Sequence, residues 1–160
     1  EYDDVIRYCM RGQDDSGLKN DITYLLLIAL KEDRAAKTAA EKAVLDEIMR
    51  AGRYNRSDRE QFYKMMSVWR KNFKIADDKT PEYISWLKDE TERYVDVTVG
   101  GGHRESYDRA ALRVVMLGEV LEDNGMENGL SETVEGYRKT YWRKHAFTGE
   151  LSEAAKKSEV

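Results

Sequence analysis

The segment Ile22–Leu30 constrains the fold more than any other, because it reads ITYLLLIAL and is apolar on nearly all sides. A helix that is apolar all round has to be surrounded by other parts of the protein. Nine residues would also suit a buried strand. The leucines and the candidate N-cap residues Asn20 and Asp21 favour a helix. We therefore expect a central buried helix with other helices packed around it.

Most other segments carry apolar residues at helical spacing between start and stop signals. Helices are predicted over 3–11 and 35–49, with a break over 12–17 between the first and the central helix and a stop at Gly52. Because few residues separate the helix over 35–49 from the central helix, these two helices are predicted to form an antiparallel hairpin. Further helices begin at a Ser57–Glu60 capping box, at Thr80–Pro81, at Ser106 and at Ser131, the last running to His145.

These segments predict an all-α fold, a single-domain bundle of about six to seven helices over residues 1–151. Residues 152–160 are polar and predict a frayed tail. One short stretch does not fit, because Val95–Val99 alternates apolar and polar residues as a half-buried strand does. It is the end of the preceding helix, an extended loop, or a strand whose partner lies in another chain.

The composition excludes several classes of protein. With 27 Lys and Arg against 31 Asp and Glu, the net charge is −4, so a uniformly cationic nucleic-acid binder is excluded while local basic faces are not. A single cysteine excludes an internal disulfide and any zinc site with two thiolates. We expect no metal, no cofactor and no membrane span, an intracellular location, and a chain that is a domain of a larger protein.

Two basic stretches are candidate binding surfaces. Residues 53–74 place cations and a tyrosine away from the apolar stripe of their helix, and residues 138–145 contain cations and Trp142 without an intervening acid. Such faces can neutralise phosphates while aromatic rings stack on bases. The candidate binding residues are Arg56, Arg59, Tyr63, Arg70, Lys71, Lys74, Arg138, Lys139, Trp142, Arg143 and Lys144. The alternative is that both faces are solvated and pair with the acidic segment 77–92.

A third candidate site is the loop Gly101, Gly102, His103 and Arg104. Glycines with free backbone N–H groups beside an arginine can hold an anion. No phosphate-binding motif surrounds this loop, and a flexible connector is the competing interpretation.

The sequence contains no recognisable catalytic motif, which favours a non-enzymatic interaction domain that contacts a protein partner or a second copy of itself. The alternative function is binding of RNA or DNA by the basic faces at 53–74 and 138–145. An enzyme with several carboxylates converging in one pocket is a third hypothesis.

Overall fold

The computed structural model of the chain describes residues 2–11, 16–31, 38–52 and 56–158, and within these ranges it is all-helical. None of the helices in these ranges is long and apolar enough to cross a membrane. The eight α-helices of the described part are α1 (Tyr2–Arg11), α2 (Ser16–Ala29), α3 (Ala39–Ala51), α4 (Arg59–Asn72), α5 (Thr80–Val95), α6 (Tyr107–Asp123), α7 (Gly129–Thr140) and α8 (His145–Lys156).

Helix α6 lies at the centre of the bundle. Every residue from 110 to 121 is buried, and helices α2, α3, α5, α7 and α8 all pack against α6. Helix α2 is the predicted buried helix, and its residues Leu26, Leu27 and Ile28 are almost inaccessible to solvent. The prediction that this segment is buried is confirmed, but the central position belongs to α6.

Helices α6 and α7 approach each other closely at a glycine. A Cβ atom on Gly118 would lie 2.7 Å from the Cα atom of Leu130. The turn before α7 contains Asn128, which has a left-handed backbone with φ of 58°, a conformation that asparagine tolerates better than most residues. The missing side chain at residue 118 therefore lets α7 lie directly on the central helix.

Several predicted helix starts differ from those observed. Helix α2 begins at Ser16, before Asn20, so Gly17 is helical rather than part of a break; residues 12–15 lie outside the described residues. Helix α3 begins after its N-cap Thr38, while residues 35–37 of the predicted helix also lie outside them. The Ser57 capping box is wrong, because residues 56–58 form a 3₁₀ turn and α4 begins at Arg59.

The last predicted helix is two helices. Helix α7 ends at Thr140, and the chain turns over residues 141–144 before α8. The turn allows Phe147 and Leu151, which are both inaccessible to solvent, to pack back against the core. Residues 152–156, expected to form a frayed tail, belong to α8, because Ala154 is also buried in the core.

The alternating stretch Val95–Val99 is the end of a helix and not a strand. Val95 is the last residue of α5, and residues 96–100 continue it as one π-helical turn. The two buried valines, Val95 and Val99, lie four residues apart on one face, whereas Val97 is 55% exposed. The helix-end interpretation is thus confirmed, and a strand pairing with another chain is excluded for this stretch.

We predict that Gly118→Ala lowers the stability of the fold. Alanine favours a helix by about 1 kcal/mol over glycine, but its methyl group would press on the backbone of Leu130, and overpacking costs about 1–3 kcal/mol. Urea denaturation measures the free energy of unfolding. The matched control is Gly136→Ala in α7, where nothing lies within 4 Å of the added Cβ, and this variant should gain stability. Equal gains in both variants would contradict the close approach.

Candidate functional site

The first basic stretch does not place all of its candidate residues on one exposed face. The prediction that Arg70 lies on the exposed side of its helix is wrong, because Arg70 is only 8% exposed. Phe62, Met66 and Arg70 are spaced by four residues, so they share the buried face of α4. Lys71 and Lys74 are exposed, while the side chain of Arg56 lies outside the described part of the chain.

Two further candidates of this stretch bind a carboxylate from α3. The guanidinium of Arg59 and the hydroxyl of Tyr63 both donate to Asp46, with 2.6 Å between the Tyr63 oxygen and Oδ1. The hydrogen bond to Asp46, and then the one to Tyr63, raises the pKa of Arg59. Burial, and then the hydrogen bond to Asp46, raises the pKa of Tyr63. The positive charge of Arg59 is therefore already paired within the protein.

A cluster of four buried charges joins distant parts of the chain, and we call it the buried charge cluster: Lys31, Glu41, Arg70 and Glu119. Arg70 Nη1 lies 2.6 Å from Glu41 Oε1, and Lys31 Nζ lies 3.5 Å from Glu41 Oε2. Lys31 also forms an ion pair with Glu119, and Arg70 Nη2 donates to the carbonyl of Lys31 at 3.0 Å. Two cations and two carboxylates balance, so the cluster is neutral.

Hydroxyl groups complete the surroundings of Glu119. Thr38 Oγ1 donates to Glu119 Oε2 at 3.3 Å, and Ser158 Oγ donates to Oε1 at 2.6 Å. Thr38 is also the N-cap of α3, where it accepts from the backbone N–H of Glu41. The backbone N–H of Ala40 donates to the carbonyl of Lys157. The segment after α8 is thereby held against the start of α3.

Arg113 of α6 is a further buried cation, outside the buried charge cluster and only 1% exposed. Its guanidinium carbon lies 3.7 Å from the ring centroid of Tyr94 and 4.8 Å from that of Tyr24. Nη2 donates to Asn20 Oδ1 at 2.7 Å, but Nε and Nη1 have no hydrogen-bond partner among the described residues. Two aromatic faces therefore supply much of what stabilises this charge.

The second basic stretch does form a surface, at the corner where α7 turns into α8. Trp142 is 61% exposed, and the Arg143 guanidinium carbon lies 4.8 Å from its ring centroid. Beside it is a shallow depression of about 410 Å³. Its lining residues are Arg138, Trp142, His145, Thr148, Gly149 and Ser152. We call this surface the α7–α8 corner.

The glycine loop does not offer free N–H groups to an anion. The backbone N–H of Gly101 donates to Val97, that of Gly102 to Val99, and that of His103 to Thr98 at 2.8 Å. The N–H of Arg104 donates to the carbonyl of Gly102. The loop closes the π turn after α5, and Gly102 provides the positive φ of 76° that the closure requires. The prediction that this loop offers free backbone N–H groups to an anion is therefore wrong.

Sequence reasoning missed a concave surface in the described part of the protein, a groove between α5 and α7 whose floor is α6. One part holds about 490 Å³ and is lined by Glu92, Leu117 and Tyr137 among others. The other part, along the start of α5, holds about 450 Å³. The two parts share Lys88, Leu121 and Met126 in their lining. We call the whole feature the α5–α7 groove.

Two tyrosines of α7 and the turn after it line one wall of the α5–α7 groove. Tyr137 and Tyr141 are stacked, with ring centroids 6.5 Å apart. Burial and the negative charge of Glu92 raise the pKa of Tyr137. Burial and the neighbouring Asp96, to which the hydroxyl of Tyr141 donates, raise the pKa of Tyr141. Both hydroxyls are therefore un-ionised near pH 7, and the two tyrosines add no charge to the lining of the groove.

Over the described residues, no three His, Cys, Asp or Glu side chains come together as a metal site. Comparison with known protein families, with curated proteins and with solved structures finds no match to this chain. The geometry of the groove and of the corner is therefore the basis for any functional proposal.

We predict that Arg70→Met strongly destabilises the protein. Removing one partner of a buried ion pair leaves the other charge uncompensated, at a cost of about 3–5 kcal/mol. The adjacent exposed Lys71 provides the matched control, because Lys71→Met should change stability by about 0.5 kcal/mol or less. Urea denaturation of both variants measures the difference. A loss in Arg70→Met no greater than in the control would show that the buried charge cluster contributes little.

We also predict that Tyr137 contributes to alkaline denaturation. Its pKa is raised in the folded state, so its contribution is fully present below about pH 10, where the unfolded tyrosine is still protonated. Above that pH the unfolded state ionises first, and the free energy of unfolding falls. Tyr137→Phe lacks this ionisation and should lose less stability between about pH 9 and 11. Identical pH profiles of the two melting temperatures would contradict the prediction.

Proposed function

We propose that this chain is a non-enzymatic helical interaction domain, and that the α5–α7 groove binds an amphipathic helix of a protein partner. The observation that carries the proposal is the groove itself, an open channel with an apolar floor between two helices that both rest on α6. Amphipathic helices commonly bind by laying their apolar face into such a groove. The proposal extends to an intracellular setting, which the single cysteine favours.

The dimensions of the groove suit a short helix. Its lining follows α5 from Thr80 to Glu92, which is roughly 18 Å at 1.5 Å per residue. That length accommodates about three turns of a partner helix. Leu117 and Leu121 lie one helical turn apart on the floor, so they match apolar side chains that recur every three or four residues. Met126, which is 37% exposed at the edge, adds an adaptable apolar surface.

The charge around the groove selects a basic partner. Three carboxylates line it, from Asp77, Glu92 and Glu132, against one ammonium group, from Lys88. Opposite charges at the rim of an interface steer the partner and exclude partners of like charge. The groove therefore favours an amphipathic helix whose polar face carries Lys or Arg.

We predict that a Leu/Lys amphipathic peptide of about 14 residues binds in the groove. Fluorescence anisotropy measures its affinity, and a Leu/Glu peptide with the same leucine spacing serves as the probe of charge. We expect the Lys peptide to bind more tightly by about ten-fold or more at low salt, because the rim then attracts rather than repels. Sedimentation of the protein alone gives its oligomeric state, and an oligomer that Gly136→Leu dissociates would place a second copy in the groove and contradict a partner helix.

A pair of glycine variants locates the binding surface. Gly136 lines the groove, Gly149 lines the α7–α8 corner, and a Cβ added to either meets nothing within 4 Å. Gly136→Leu should fill the groove and abolish peptide binding, while Gly149→Leu should leave the affinity unchanged. Both should keep their helicity, because leucine favours helix over glycine. Equal affinities of the two variants would overturn the groove as the binding surface.

A further inference from the structure

We propose that the α7–α8 corner binds single-stranded nucleic acid, with a base stacked on Trp142 and phosphates held by the neighbouring cations. This site is separate from the groove, because Gly136 and Tyr137 of α7 line the groove whereas Arg138 and Trp142 line the corner. The inference therefore goes beyond the proposed interaction with a partner helix and does not depend on it.

The exposed indole ring is the first observation behind this proposal. Trp142 is 61% exposed although it belongs to a residue type that is usually largely buried. The Arg143 guanidinium over its ring keeps a cation next to the aromatic face. Proteins that bind single strands use this combination, in which a base stacks on an aromatic ring while cations lie beside the backbone.

The distribution of charge is the second observation. Arg138, Lys139, Arg143 and Lys144 lie at the corner or next to it. The nearby carboxylate of Glu135 pairs with Arg138 Nη1 at 2.7 Å, and Arg138 Nη2 is fixed on Ser152 Oγ at 3.2 Å. The acidic residues of α8, Glu150 and Glu153, line a different depression, which they share with α3 and α6. The corner is therefore positive although the whole chain is negative.

The depression beside the ring is the third observation. It holds about 410 Å³, and its lining includes the polar side chains of Arg138, His145 and Thr148. Gly149 leaves its floor open, since no atom lies within 4 Å of an added Cβ. A nucleotide whose base lies on Trp142 can place its sugar and phosphate in this space.

The test measures binding of a labelled oligothymidylate of about 12 nucleotides by fluorescence anisotropy. An abasic strand of the same length carries the same phosphates without bases, and an oligoglutamate peptide carries negative charge without phosphates. We expect oligothymidylate to bind most tightly of the three. Trp142→Ala should weaken its binding by at least about five-fold, with little effect on the abasic strand. Tyr8→Ala is the matched control, because Tyr8 is 75% exposed on α1.

Salt dependence tests the cations. For single strands the slope of log affinity against log salt is about −0.7 per phosphate contact. The double variant Arg143→Gln and Lys144→Gln should therefore reduce the slope by about 1.4 between about 50 and 200 mM salt. Lys71→Gln with Lys74→Gln is the matched control, since both lysines are exposed and lie at the end of α4 and just after it, distant in sequence from Arg143 and Lys144. The control should leave the slope unchanged.

Four results would overturn the proposal. They are no binding of oligothymidylate by the unmodified protein, equal affinity for the abasic strand, equal affinity for oligoglutamate, and equal effects of Trp142→Ala and Tyr8→Ala. Equal affinity for oligoglutamate would indicate an acidic protein segment as the ligand. Gly136→Leu, which fills the groove, should bind oligothymidylate with unchanged affinity. Peptide binding therefore tests the groove proposal and oligothymidylate binding tests this one, and either can fail without the other.

Discussion

The buried charge cluster is the interaction on which the arrangement of the helices depends. Its members come from the residues just after α2, from α3, from α4 and from the central helix α6. An isolated ion in the protein interior costs several kcal/mol, so each of the four groups is tolerable only while its partners are in place. Apolar contacts between helices tolerate small shifts, whereas these hydrogen bonds specify which helix faces meet. The cluster thus fixes the relative placement of four elements.

Much of the fold follows from the sequence because helical spacing is a local property. The stripes of α2, α3, α5 and α6 identify both the helices and their buried faces. The break between α7 and α8 has no such signal, because neither glycine nor proline marks residues 141–144. That turn exists because Phe147 packs edge-on against the rings of Tyr107 and Tyr141. Long-range packing of this kind is not readable from a single segment.

The buried charges were missed for a related reason. Arg70 lies on the same stripe as Phe62 and Met66, and Glu119 lies on the stripe of α6, so their burial was readable from spacing alone. The spacing does not show that Arg70 pairs with a carboxylate from α3, or that Glu119 pairs with an ammonium group that follows α2. Because charged side chains generally prefer water, Arg70 was predicted to be exposed.

The α7–α8 corner and the α5–α7 groove also differ in how far the sequence alone reveals them. The α7–α8 corner consists largely of one continuous stretch, which is why its tryptophan and cations were identified from the sequence. The α5–α7 groove takes Lys88, Leu121 and Tyr137 from three separate helices. None of these residues is unusual in its own segment, so only the folded arrangement shows that they share a concave surface.

The ion pair between Lys31 and Glu119 spans 88 positions of the chain, and this separation has a consequence for the order of folding. As the chain leaves the ribosome, α2, α3 and α4 can coil locally, but Lys31 has no access to Glu119 until most of α6 has been made. Its ammonium group therefore lacks this partner while the residues between Lys31 and Glu119 are being made. The packing of α2, α3 and α4 is therefore completed only once α6 has been made and its Glu119 reaches Lys31.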